Sequence, residues 1–322
     1  MLEYLLDKIK SSSIITDPFP HIEIHDFFSQ VDFKKIITSR DIASEKCETN
    51  EHLFKSLFDK GYKIIEFPGC ISNLDEYLDW HKKKWKNINL NPACESFGMA
   101  LRLEKQNDEF IYNVVNFFSS QIFIETIASK FGIDTSKTYF DGGIQKYLDG
   151  YEISPHPDIR RKAITYMVNI NPGPKSQYEN HHTHYLRLKK QYQYLHSFWE
   201  NNLKVERCWV PWDWCEDIKI QKQNNSIVIF SPSDYTLHAV KADYDHLHHQ
   251  RTQIYGNLWF QDIPTLAKKE WYDLDIVGSD PAKIAKPTLF EKALFSLRKL
   301  RFKNIQNDQR VVESKNISAK YK

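Results

Sequence analysis

The stretch ISPHPDIRRKAITYMVNINP, residues 153–172, decides how the rest of the chain is read. His156 and Asp158 stand two positions apart around a proline, and a run that alternates like a strand follows them. Residues i and i+2 of a β-strand project to one face, so a regular strand here aims an imidazole and a carboxylate the same way. If that face lines the inside of a rolled sheet, both side chains reach one cation.

Two ligands do not complete such a centre. Two imidazoles and a carboxylate on one face of an octahedron leave three positions open, the arrangement of non-haem Fe(II) sites. The third candidate is His238, eighty positions beyond Asp158, in NSIVIFSPSDYTLHAV (225–240), where an apolar strand runs through a turn into a second short strand. Antiparallel strands of a jelly roll bring such distant positions side by side. Thirteen residues past His238, Arg251 opens RTQIYGNLWF (251–260). A guanidinium there suits a bidentate, charge-assisted grip on a carboxylate.

Outward from these residues the texture is β-like. GIQKYLDG, AITYMVNINP, HTHYLRL, RCWVPW, NSIVIFSP, YTLHAV and RTQIYGNLWF are short runs bounded by Gly, Pro, Asn and Asp, which predicts an antiparallel sandwich or barrel. Upstream, FIYNVVNFFSSQIFIETIASKF (110–131) carries apolar residues at helical spacing, with Ser119 or Ser120 placed to cap a second helix. LDEYLDWHKKKWKN (74–87) also reads as helical, as does FEKALFSLRKLRF (290–302). The last is expected to pack its apolar side on the core and show a basic face to solvent.

Composition sets bounds on function. With 41% apolar and 14% aromatic residues in 322, the chain can bury a large core. A net charge of +2 does not make a polyanion the expected partner of the whole molecule, so nucleic acid is not expected. The basic excess sits at the end: residues 290–322 hold nine Lys/Arg and three Asp/Glu, leaving about −4 on the rest. Five cysteines scattered without CxxC spacing, no cleavable leader pattern and no apolar run of membrane length point to a soluble, cytoplasmic protein.

The conjunction of His-x-Asp, a distant His and a following Arg resembles the Fe(II)- and 2-oxoglutarate-dependent oxygenase superfamily, and within it the prolyl-4-hydroxylase-like branch. YFDGGIQKYLDGYEISPHPD (139–158) is similar to that branch's approach to the metal strand, FFSSQIFIETIASKFGID (117–134) to the helix before the core, and DPFPHIEIHDFFS (17–29) to the start of many such chains. The likeness covers roughly residues 17–30 and 117–262. It implies a mainly β fold with flanking helices around a double-stranded β-helix, the cupin-like jelly roll. The expected organisation is an N-terminal mixed α/β extension over 1–109, a core over 110–263 with an insertion at 173–223, and a C-terminal helical basic extension over 264–322.

The resemblance further implies that His156, Asp158 and His238 bind Fe(II), that Arg251 pairs with the distal carboxylate of 2-oxoglutarate, and that Tyr147 contacts this cosubstrate; Gln253, two residues past the arginine, is expected to donate its carboxamide to the same carboxylate. Dioxygen is the second cosubstrate, and 2-oxoglutarate is decarboxylated to succinate as an aliphatic C–H bond is hydroxylated or otherwise oxidised. An aspartate at 158 fills the position that related halogenases leave open to chloride, so hydroxylation is expected over halogenation. Where the family commonly has a serine two residues after the arginine, this chain has Gln253, and the family's Gly-Gly-Glu stretch is not evident. The expected substrate is a small molecule, with a prolyl or peptidyl substrate as the alternative and a non-catalytic jelly-roll binding module as the alternative outside the enzymes.

Other clusters receive blander expectations. His181, His182 and His184 of HHTH are expected on an exposed loop, and His246, His248 and His249 on a solvated hairpin. Arg160 and Arg161 are expected to be solvated, with Arg160 sharing the metal-facing side only if strand alternation persists. Trp209, Trp212 and Trp214 are expected in core packing.

Overall fold

A computed structural model describes residues 2–83, 93–202, 205 and 208–262. In chain order it forms α1 (Tyr4–Ser11), β1 (His21–Ile24), α2 (Gln30–Thr38), α3 (Asn50–Asp59), β2 (Tyr62–Ile64), α4 (Leu74–Lys82), β3 (Ala100–Leu103), α5 (Glu109–Ser119) and α6 (Gln121–Lys130). It continues as β4 (Thr138–Tyr147), β5 (Glu152–His156), β6 (Lys162–Asn169), β7 (Thr183–Leu188), α7 (Tyr194–Asn201), β8 (Cys215–Ile220), β9 (Ile227–Phe230), β10 (His238–Lys241) and β11 (Arg251–Phe260). The helix expected over 290–302 and the whole of 264–322 lie outside the described residues.

The α5/α6 pair forms where apolar periodicity and capping residues coincide. Asp108 accepts from the backbone N–H groups of Phe110 and Ile111, and Ser120 ends α5 while its hydroxyl caps Phe123 of α6.

Two sheets, antiparallel throughout, make the body. The larger runs β1-β9-β6-β11-β4-β3-β2 and the smaller β5-β10-β7-β8. From β4 to β11 the chain alternates between the two, except that β7 and β8 are neighbours in the smaller one. That winding is a double-stranded β-helix: each sheet receives four of the eight core strands, and the pairs that close it are far apart in sequence. Period-two alternation sorts the side chains of the larger sheet. Ile164, Tyr166 and Val168 of β6, with Ile227 and Ile229 of β9 and Ile254 and Leu258 of β11, pack against Phe118, Phe123 and Ile127 of the helices. Burying each such side chain contributes roughly 1.5–3 kcal/mol, so the helices fix this sheet while its opposite face stays free for polar work.

Two parts of the expected organisation change. The N-terminal region does more than pack on the core: β1 pairs with β9 and β3 with β4, so it lengthens the larger sheet. Within 173–223, β7 and β8 are core strands, and only the segment between them, carrying α7, is inserted into the roll. β7 falls on the HTHYLRL run already read as β-like, whereas β8, CEDIKI, was not singled out in the sequence.

Candidate metal centre

β5 and β10 bring the first two ligand candidates together, because His156 and His238 are register partners with ring centroids 4.3 Å apart. Each imidazole is oriented the same way. His156 Nδ1 lies 2.9 Å from the Ser154 carbonyl and His238 Nδ1 2.9 Å from the Thr236 carbonyl, in each case two residues back. A carbonyl only accepts, so Nδ1 carries a proton in each ring, and in the neutral tautomer this leaves the lone pair on Nε2. Those Nε2 atoms face Asp158, at 3.6 Å from Oδ1 for His156 and 3.7 Å from Oδ2 for His238.

Asp158 arrives by a route the alternation does not predict. β5 stops at His156, Pro157 has no N–H to extend the ladder, and Asp158 takes a φ of +68°. The carboxylate is turned back toward the imidazoles from a loop and does not follow them along a regular strand. Thr236 holds this loop, its hydroxyl donating to the Pro157 carbonyl at 2.9 Å. Arg160 is carried away by the same turn: it pairs with Asp234 at 3.1 Å and donates to the carbonyls of Trp199 and Val205, anchoring the α7 segment. It neither joins the metal-facing side nor lies solvated.

The surroundings of Asp158 and His238 favour metal-ready protonation states. Burial alone raises the Asp158 carboxyl, but the Lys162 ammonium and the two imidazoles outweigh it and hold the group well below the usual carboxylate range. Burial, with repulsion from His156, pushes the His238 imidazole down to about 3 against the pull of Asp158. Lys162, which sequence reading passed over, donates to Asp158 Oδ1 at 2.6 Å, and Thr165 donates to Oδ2 at 2.9 Å. Lys162 lies four residues beyond Asp158, the one hint available beforehand.

A second triad, His81, Asp149 and His246, has similar proximity but different chemistry. His81 Nε2 is 2.9 Å from Asp149 and its Nδ1 3.2 Å from Asn50, while His246 Nδ1 accepts from the Asp149 N–H and Nε2 lies 2.6 Å from Asn50 Oδ1. Every ring nitrogen there has a hydrogen-bond partner, which suits a bracing network between α4 and the strand connections.

Arg251 is buried at the start of β11, opposite Tyr147 of β4 in register. The Tyr147 ring lies against the guanidinium, Thr183 accepts from it at 2.9 Å and Gln253 Oε1 at 3.0 Å. Gln253 Nε2 is spent on Asn169 Oδ1 at 2.7 Å, so this carboxamide orients the arginine. Among the described residues no carboxylate pairs with Arg251. A fully buried cation without a counter-anion is a receiver for one.

One cavity of about 450 Å³ contains the triad, Arg251, Tyr147, Gln253 and Lys162. Trp209 lines it too, whereas Trp212 and Trp214 pack as expected, against the small cluster under α7. His181 and His182 are buried beside Arg251, contrary to an exposed loop; β7 begins at Thr183 and draws them in. Of the DHLHHQ group, His246 is buried in the network above, while His248 is exposed.

No family model matches this sequence, and no curated protein matches it either. Among solved structures it is similar to a prolyl-4-hydroxylase from Pseudomonas putida, at 9% identity and TM-score 0.38, covering 81% of this chain and 99% of that one. A Trichoplax adhaerens prolyl hydroxylase in complex with a hypoxia inducible factor peptide gives 9% identity and TM-score 0.38, covering 81% of this chain and 89% of that one. HygX from Streptomyces hygroscopicus, solved with nickel, 2-oxoglutarate and hygromycin B, gives 8% identity and TM-score 0.26 over 65% of this chain and 86% of that one. At these scores the fold rests on its own strand order, and the chemistry on the side chains just described.

Proposed function

We propose that this protein is an Fe(II)- and 2-oxoglutarate-dependent dioxygenase that oxidises an aliphatic C–H bond of a small molecule, hydroxylation being the favoured outcome. The observation that carries the reading is the pair of register-matched imidazoles, each with Nδ1 tied to a carbonyl and Nε2 facing a buried carboxylate. His156, His238 and Asp158, two imidazoles and a buried carboxylate with ligand atoms within 4.8 Å of one another, are a donor set that fits ferrous iron and would hold it. Iron held there supplies the redox chemistry that couples decarboxylation of 2-oxoglutarate to succinate with oxidation of the substrate by dioxygen.

The chain's own share is positioning. Arg251 binds the distal carboxylate of 2-oxoglutarate through its guanidinium fork, Tyr147 backs that guanidinium, and Thr183 and Gln253 fix its orientation. The volume of the cavity suits a compact ligand; that supports a small molecule over a protein segment.

The test is 2-oxoglutarate turnover with Fe(II) and ascorbate, supplemented first with a metabolite panel and then with proline-containing peptides. Succinate production stimulated by a metabolite supports the reading. Stimulation by peptides alone replaces it with peptidyl hydroxylation, and metal and 2-oxoglutarate binding without turnover under either supplement makes the roll a binding module.

A further inference from the structure

Lys162 stands where the metal's charge is needed. Its ammonium is 2.6 Å from Asp158 Oδ1, and the lysine side chain is 13% exposed against 3% for the aspartate. Thr165 takes Oδ2, so both carboxylate oxygens are engaged within the chain. From this same position the ammonium also donates to Tyr255 Oη at 3.2 Å, and the faces of Trp259 and Tyr255 lie 5.5 and 5.9 Å away, so it has contacts to keep if it leaves the carboxylate. A divalent ion about 2 Å from an Asp158 oxygen comes within roughly 5 Å of that ammonium. The cavity's low dielectric makes their repulsion large.

We propose that Lys162 is the resident counter-cation of the metal centre: it neutralises Asp158 in the metal-free protein, lowers the affinity for divalent metal, and withdraws toward Tyr255 and Trp259 when metal enters. The inference rests on the reading of His156, Asp158 and His238 as ligands. The physical reason for such a device is that a buried carboxylate without a partner costs several kcal/mol. A lysine that sits on the carboxylate with Tyr255 and Trp259 already on its other side protects the fold before loading. The opposite arrangement, in which Lys162 stays on Asp158 and orients it for the metal, predicts the opposite sign on removing the charge.

The experiment is calorimetric titration of the full chain with Mn(II), for the wild type, Lys162→Met, Lys162→Gln, Lys162→Arg and His238→Ala. The Met and Gln variants are expected to bind Mn(II) at least tenfold more tightly than wild type, and the Arg variant within about threefold of it. Gln retains a donor for Asp158, so it covers the case in which Met does not fold. Thermal melts with and without Mn(II) should show a larger metal-induced shift in the neutral variants. Equal or weaker binding by the neutral variants overturns the role of Lys162. Loss of wild-type binding in His238→Ala then leaves the ligand reading standing, whereas absence of Mn(II) binding in every variant overturns both.

Discussion

Arg251 and Tyr147 are register partners across the β11/β4 pair, and the guanidinium carbon of the first lies 4.5 Å from the ring centroid of the second. The contact holds a buried cation in place without neutralising it, which leaves its fork available to an anion. Replacing Arg251 by Met should weaken 2-oxoglutarate binding by roughly 100-fold, the cost of about 3 kcal/mol typical of losing one side of a buried charged pair. Tyr147→Leu should weaken it by about tenfold or less, within the range of a desolvated cation–π contact. Titration of the Mn(II)-loaded protein with 2-oxoglutarate checks both, and Mn(II) affinity itself should not move in either variant.

The two histidine–aspartate triads make a paired prediction. His156→Ala, His238→Ala and Asp158→Ala should each abolish stoichiometric Co(II) binding, read from the visible absorption of the bound ion. His81→Ala should leave that stoichiometry unchanged and instead lower stability by about 1–3 kcal/mol, because it leaves buried Asp149 short of a hydrogen-bond partner. Loss of Co(II) binding in His81→Ala together with its retention in His238→Ala would move the centre to the other triad.

Acid sensitivity follows from the histidines behind Arg251. Burial, then repulsion from Arg251, brings His182 down to about 4 from an ordinary value of 6.5, and burial brings His181 to about 2. A histidine whose folded value is depressed binds its proton more readily when unfolded. Its stabilising contribution is therefore complete above about pH 6.5 and declines as the pH falls toward the folded value. For His182 the loss at pH 4 is at most about 3 kcal/mol. Urea denaturation midpoints should fall between pH 6.5 and 4, and His182→Gln should flatten that fall; an identical pH profile in the variant would refute the assignment.

Gly256 sits on the helix side of β11, where an added Cβ would lie 2.4 Å from the Tyr166 ring. Tyr166 is itself wedged against Phe118 and Phe123 and has no room to retreat. Gly256→Ala should destabilise the protein by roughly 1–3 kcal/mol as an overpacked core, and Tyr166→Leu in the same chain should recover part of the loss. Chemical denaturation of the single and double variants measures both effects.

The His-x-Asp spacing of His156 and Asp158 and the helix pair capped at Ser120 were legible because they depend on near neighbours in sequence, whereas His238 and Arg251 were joined to them only by the likeness of the whole pattern to a known family. Strand alternation, capping chemistry and the interval between motif residues are written locally, and a helix or strand must satisfy them before it meets anything else. Those local rules misplaced Asp158, since Pro157 and a positive φ replaced two further strand residues with a turn.

What only the tertiary structure decided is which groups lie against which. Register between β10 and β5 sets the spacing of the two imidazoles. The fold's return through β6 brings Lys162 and Thr165 onto Asp158, and the entry into β7 buries His181 and His182 beside a guanidinium that has no carboxylate partner among the described residues. Each of these joins residues held in place by long-range pairing, and charge and burial act through distance in space. The sequence could name the residues able to bind a metal; their protonation, their competitors and the choice between two triads depend on neighbours supplied by other strands and helices.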